Sequence, residues 1–110
     1  MAATVYEFDA PLWRWAARQA DLWTFVSLPA DTSDEVMELA EPYARGFGSL
    51  RVEATVGRTV WRTSIFPDSG RRAYVLPVKR AVRDAEALAV GDPVRVRLRL
   101  VDLASSARHA

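Results

Sequence analysis

Between Leu50 and Pro67 apolar and polar side chains alternate, with a break at Gly57 and Arg58. Alternation with a period of two is typical of a strand that buries one face. Glycine in the first position of a two-residue loop favours a type II′ turn, whose twist suits antiparallel strands. The pattern therefore predicts a β-hairpin over residues 50–67.

The two-residue loop also determines which residues face each other across the hairpin. The expected pairs are Val56 with Thr59, Ala54 with Trp61, Val52 with Thr63, and Leu50 with Ile65. The last three pairs form the buried face. On the outer face Glu53 lies opposite Arg62, a cross-strand ion pair worth about 0.2–1 kcal/mol.

Four further strands are predicted on the same grounds, at residues 4–15, 22–28, 73–76 and 93–101. Pro11 interrupts the first of them, and proline cannot donate to a β-ladder. We therefore expect that strand to lie at an edge or to be broken at Pro11. In the last strand the valines and leucines point inward, while Arg95, Arg97 and Arg99 point out.

Two short helices complete the prediction. Thr32 and Glu35 have the spacing of a capping box, which predicts a helix from there through Ala40 with Asp34, Glu35 and Glu38 near its start. Pro77 is predicted as a first-turn residue of the second helix, whose apolar positions run to Leu88. The chain is therefore mainly β, with about six strands and two helices.

The 110 residues suffice for one core, and no repeat or linker divides them. We predict a single domain over residues 1–103 and a disordered tail over 104–110. No apolar run approaches the roughly 20 residues of a membrane helix, and no signal peptide is visible. With no cysteine there are no disulfides, so we expect a cytoplasmic protein without a membrane partner.

Charge is distributed unevenly along the chain. Residues 1–44 hold two bases and eight acids, whereas residues 45–110 hold thirteen bases and six acids. Such a split is found in proteins with a nucleic-acid-binding or anion-binding half. The alternative, which we favour, is that the two halves neutralise each other within one fold or across a homodimer.

Few side chains suit catalysis. The single histidine, His109, falls in the predicted tail, and no glycine loop for phosphate is present. Zinc is not expected, because its sites draw mainly on cysteine and histidine. The composition favours a protein without catalytic residues, metal or cofactor; an enzyme would have to use Glu53, Asp68 or Asp84.

The aromatic residues and the basic cluster each have two interpretations. Tryptophans and phenylalanines could line a pocket, but we favour their use as the filling of a small core. Lys79, Arg80 and Arg83 are predicted in the first turns of the second helix, where the helix dipole disfavours cations. They form either an anion site or a solvated face with an Arg80–Asp84 pair, and both alternatives stay open.

The stripe of Arg95, Arg97 and Arg99 also has two interpretations. These side chains could follow a phosphate backbone. They could instead form a charged strand face that discourages aggregation, which is the interpretation we favour.

Several motifs occur together in a fixed order along residues 4–102. They are Val26-Ser-Leu-Pro29, Gly46-Phe-Gly48-Ser49, Trp61-Arg-Thr-Ser-Ile-Phe-Pro67, Tyr74-Val-Leu-Pro-Val-Lys79 and Gly91-Asp92. In this the chain resembles a bacterial family known as domain of unknown function 1905. The resemblance implies a small β-barrel capped by helices, similar to the double-split barrels. That class includes dimeric DNA-binding regulators and antitoxins, but fold alone does not assign function.

Three hypotheses follow, in order of preference. The first is a non-enzymatic module that binds a small anionic ligand through Trp61, Thr63, Tyr74, Lys79 and Arg83. The second is a nucleic-acid-binding homodimer that uses the arginine-rich C-terminal half. The third is an enzyme of unknown reaction.

Overall fold

In the computed structural model six antiparallel strands close into a barrel that is capped by two helices. The structure describes residues 5–15, 24–40, 48–68, 70 and 72–101. In chain order the elements are β1 (Val5–Arg14), β2 (Thr24–Ser27), α1 (Ala30–Ala40), β3 (Leu50–Val56), β4 (Thr59–Asp68), β5 (Ala73–Pro77), α2 (Arg80–Glu86) and β6 (Pro93–Leu100). Around the barrel the strands follow the order β1-β2-β5-β4-β3-β6, and β6 pairs with β1. The predicted barrel of about six strands is confirmed. The predicted tail and His109 lie outside the described residues.

The β3–β4 hairpin has the predicted register, from Val56 opposite Thr59 to Leu50 opposite Ile65. Gly57 has a φ of +58°, and Arg58 is not among the described residues with positive φ. Positive φ at the first central position alone is the conformation of a type II′ turn. On the outer face Arg62 Nε lies 3.8 Å from Glu53 Oε2.

Inside the barrel the inward side chains of all six strands form one core, and each helix closes one end of it. Val36 of α1 and Val82 of α2 are both buried members of that core. At the α1 end, Ser33 accepts a hydrogen bond from the Tyr74 backbone N–H. At the α2 end, Glu86 contacts the hairpin turn through Thr59.

The predicted break of β1 at Pro11 is wrong, and the predicted edge is limited to residues 5–9, which pair with β6 on one side and with no described strand on the other. β1 is continuous, and it changes partner at the proline: Val5–Pro11 pair with β6, and Leu12–Arg14 pair with β2. The backbone N–H of Leu12 bonds to Asp92 O in the β6 direction, so the neighbouring prolyl nitrogen faces β2. The β2 ladder begins only after it, so the missing donor breaks no bond.

The predicted capping box at Thr32 is also wrong. α1 begins at Ala30, and its first helical hydrogen bond runs from Ser33 N to Pro29 O at 2.8 Å. Thr32 therefore lies inside the first turn instead of preceding it. Of the large apolar side chains of α1, Val36 is buried while Met37 and Leu39 are exposed.

Pro77 does not open the second helix. It is the last residue of β5, and α2 begins three residues later with Lys79 at the N-cap. Val78 and Val82 are buried as expected, whereas Ala81 and Ala85 are exposed. The proline is compatible with the strand because it stands at the strand's end, where a lost donor is tolerated.

Candidate functional site

The five residues predicted to bind an anion lie at different levels of the barrel. Trp61 and Tyr74 point into the core and are 8% and 4% exposed, and Thr63 is half-buried. Tyr74 lies at the α1 end, where its backbone N–H meets Ser33. Lys79 and Arg83 belong to α2 at the opposite end. The structure thus brings Lys79 and Arg83 together and separates Tyr74 from them.

The Lys79 side chain is exposed, while its backbone carbonyl accepts hydrogen bonds from Val82 N and Arg83 N in the first turn of α2. Lys79 occupies the N-cap of α2 with extended backbone angles, and its side chain makes no capping hydrogen bond. Within the described residues its ammonium group has no acidic partner. Its charge is therefore available to a ligand.

Arg83 is half-buried, and its Nε–H donates to the Val78 carbonyl at 3.2 Å. This bond fixes the guanidinium plane against the turn that precedes α2. The neighbouring Arg80 is engaged with an acid, since its Nε lies 3.8 Å from Asp84 Oδ2. Both of these side chains are more than 70% exposed. The pair that the solvated-face alternative predicted is therefore present, and it uses Arg80 but neither Lys79 nor Arg83.

Glu86 has a structural role that the sequence did not reveal. Its Oε2 accepts a 2.6 Å hydrogen bond from the Thr59 hydroxyl and a 3.3 Å bond from the Arg58 N–H. A Cβ on Gly57 would collide with the same carboxylate. Because its partners lie in another element, no local spacing in the sequence marks this residue.

The arginine-rich outer face of β3, β4 and β6 is partly neutralised by neighbouring acids. Arg95 contacts Glu7 at 3.1 Å and Asp9 at 3.0 Å on β1. Arg99 contacts Glu53 at 3.1 Å. In the described part of the chain Arg51 and Arg97 have no such partner.

A groove of about 390 Å³ lies between α1 and β1 and was not expected from the sequence. Its lining consists of Tyr6, Glu35, Glu38 and Leu39. Burial, and secondly the negative charge of Glu35, raise the pKa of the Tyr6 hydroxyl. The acids of α1 are visible in the sequence, but the helix dipole alone accounts for them there, so they do not indicate a groove.

The carboxylates suggested for an enzyme all have structural partners. Glu53 binds Arg62 and Arg99, Asp84 lies beside Arg80, and Asp68 accepts a 3.0 Å bond from the Gly70 N–H. Among the described residues no three histidine, cysteine or carboxylate groups are close enough to hold a metal ion. Neither helix of the described chain is long and apolar enough to cross a membrane.

Comparison with known protein families identifies the family to which the chain belongs. The sequence profile of a domain of unknown function, DUF1905, matches residues 8–98 of the 110. The chain belongs to the DUF1905 family. No curated protein matches it. For this DUF1905 protein the matched range runs from within β1 to within β6 and covers both helices and the four strands between.

Proposed function

We propose that this DUF1905 protein is a non-enzymatic binding module for a small anionic ligand, which Lys79 and Arg83 hold on the surface of α2. The observation that carries the proposal is the position of Lys79. Its exposed ammonium group neither caps the helix nor pairs with an acid of the described chain. The helix dipole disfavours a cation at the start of a helix. A bound anion would explain why the Lys79 ammonium group stands there.

Arg83 supplies the second contact. Its guanidinium is already oriented by the Nε–H bond to Val78 O, so little side-chain freedom is lost on binding. A planar guanidinium matches carboxylate and phosphate groups, whose oxygens accept two parallel hydrogen bonds. The ligand class is therefore a small carboxylate or phosphate compound.

Trp61, Thr63 and Tyr74, the other three residues predicted for the site, have an indirect role in this proposal. Trp61 and Val82 of α2 are both members of the one buried core. Thr63 lies two residues further along β4, and Tyr74 lies on the adjacent strand β5. We propose that Trp61 and Thr63 shape the barrel wall and that none of the three, Tyr74 at the α1 end included, contacts the anion.

Inorganic phosphate and citrate, titrated at constant ionic strength, test the proposal by amide chemical shifts. We expect saturable shifts in residues 78–84, and an affinity lowered about tenfold by Lys79→Ala or by Arg83→Lys, which cannot bind bidentately. Arg80→Ala is the matched control, since it removes a cation of the same helix that is already beside Asp84. Shifts that grow linearly without saturation, or equal losses in all three variants, would contradict an anion site.

Nucleic-acid binding by a homodimer is the second candidate, and the observation that favours it is that Arg51 and Arg97 form no ion pair with any described residue. If this face binds a phosphate backbone, affinity for mixed DNA and RNA falls steeply with salt. Removing Arg51 and Arg97 then weakens binding more than removing Arg95, which is held by two acids. Undetectable binding at low salt, or a monomer at the concentrations used, rejects this candidate.

A further inference from the structure

Over residues 5–9, one edge of β1 has no hydrogen-bonding strand among the described residues. Leu12 exchanges backbone bonds with the start of β6, through Leu12 N to Asp92 O at 2.9 Å and Gly91 N to Leu12 O at 2.7 Å. In an antiparallel ladder successive residues bond alternately to the two sides. Val5, Glu7 and Asp9 therefore direct their N–H and C=O groups away from β6.

The strand on that side, β2, is too short to reach them. It pairs with β1 only at Leu12–Arg14, because β2 ends at Ser27, and Pro11, whose nitrogen carries no hydrogen, lies just outside that ladder. Over residues 5–9 the described chain offers no other strand. The barrel thus has an open strand edge about five residues long, and such edges are templates for an added strand.

The groove between α1 and β1 lies at this edge. Tyr6, between Val5 and Glu7, contributes to its lining, and Glu35, Glu38 and Leu39 form the wall on α1. A strand placed along the edge would run past these α1 side chains. Exposed Leu39, at 46%, offers an apolar contact to it.

The charge of this wall selects the kind of strand. α1 carries Asp31, Asp34, Glu35 and Glu38 and no basic residue. Within the described residues none of these four carboxylates forms an ion pair. An anionic or nucleic-acid partner would be repelled here, whereas a lysine or arginine side chain would be attracted.

We propose that the groove between α1 and β1 binds an extended basic segment of a partner protein by strand addition. The partner backbone bonds to Glu7 and Asp9, and a basic side chain of the partner reaches Glu35 and Glu38. Strand addition takes its affinity from main-chain bonds and its specificity from pockets for alternate side chains. This site is at the opposite end of the barrel from Lys79 and Arg83, so the two proposals stand or fall separately.

Amide hydrogen exchange with an alternating lysine–valine peptide of eight residues tests the geometry directly. In the free protein Phe8 and Ala10 should be protected by β6, whereas Glu7 and Asp9 exchange rapidly. Saturating peptide should protect Glu7 and Asp9 as well. If Glu7 and Asp9 are protected without peptide, the edge is already covered by the protein's own chain or a second copy, and the proposal is overturned.

Variants and modified peptides test the chemistry of recognition. We expect Glu35→Gln with Glu38→Gln to weaken the peptide about tenfold, and Asp31→Asn with Asp34→Asn, the same charge change outside the groove lining, to weaken it about threefold or less. Methylating alternate peptide nitrogens should abolish binding in one of the two possible patterns only, because alternate amides face the strand. Equal effects of both double variants, or equal effects of both methylation patterns, would show charge attraction without strand addition and overturn the proposal.

Discussion

Ala54 has a large neighbour on each side, Trp61 on β4 and Leu98 on β6. All three side chains point into the core, and Ala54 is fully buried. A small residue between two large ones lets the inner layer fill without voids. The Trp61 ring therefore fills the space that the small Ala54 side chain leaves between β4 and β6.

Replacing Trp61 by alanine should lower the free energy of unfolding by about 3–5 kcal/mol, the usual cost of removing a buried aromatic ring. Urea unfolding measures the loss. Val60→Ala is the control on the same strand, because Val60 is 56% exposed and its removal should cost about 0.5 kcal/mol or less. An unchanged melting temperature for Trp61→Ala would mean that the ring does not fill the core.

Two tyrosines link stability to alkaline pH. Burial raises the pKa of Tyr74 above its ordinary 10.0, and burial followed by the Glu35 charge raises that of Tyr6. Above pH 10 the unfolded chain loses these protons before the folded protein does. The unfolded state then binds fewer protons, so stability is complete below that pH and falls as the pH rises.

The melting temperature should therefore decline above pH 10, and the decline should be shallower in Tyr6→Phe with Tyr74→Phe. At pH 8 the double variant should melt close to the wild type, because neutral tyrosine and phenylalanine fill similar space. Thermal unfolding followed by circular dichroism at several pH values measures both. An equally steep decline in the double variant would assign the alkaline effect to other groups.

At the residue scale the sequence predicted contacts that follow from local rules, and it missed those that join distant elements. The facing pairs Ala54–Trp61 and Val52–Thr63 followed from alternation and one turn. Ser33 and Glu86 were missed because their partners, Tyr74 and Thr59, are 41 and 27 residues away. The five-residue anion site was predicted from chemical type, and the depth of each residue in the barrel was not available from the pattern.

Among the elements, α1 shows how tertiary contacts override a local motif. Ser33 is 2% exposed, and its hydroxyl donates to Leu28 O at 3.4 Å while it accepts from Tyr74 N at 3.1 Å. These bonds join the helix to β5 and to the end of β2. The helix begins at Ala30 in this arrangement, ahead of the Thr32 motif that local sequence favoured.

Ser33→Ala should destabilise the protein by about 1–3 kcal/mol, because it leaves the buried Tyr74 N–H without an acceptor. Thr32→Ala should cost less than the roughly 1 kcal/mol of a lost N-cap. Chemical denaturation of the two variants measures the difference. The reverse order would restore Thr32 as the cap and place the start of α1 three residues later, at Ser33.

Over the whole molecule the acidic and basic halves of the chain meet where β1 pairs with β6. Glu7 and Asp9 come from the acidic half, and Arg95, which contacts both, comes from the basic half. The sequence left open whether the acidic and basic halves neutralise each other within one fold or across a homodimer. Between β1 and β6 they do so within one fold. Along the groove beside α1, by contrast, the carboxylates of the acidic half form no ion pair with any described residue.

Reversing the charge of Arg95 tests this complementarity. Arg95→Glu should lower the melting temperature, because three carboxylates would then meet on one surface, and the loss should shrink at high salt. Adding Glu7→Arg and Asp9→Arg should recover most of the loss by restoring opposite charges. A triple variant that melts no higher than the single one would show that these pairs do not stabilise the barrel.

The closure between β1 and β6 sets the order of events when the barrel forms. Val5 faces Arg99, a partner 99 − 5 = 94 positions later in the chain. The β3–β4 hairpin pairs residues close in sequence, and hairpins form within about 1–10 μs. Contacts between distant residues must first offset the entropy of closing a long loop, so they form late. During synthesis β1 leaves the ribosome before the other strands, and it cannot pair with β6 until β6 has been synthesised.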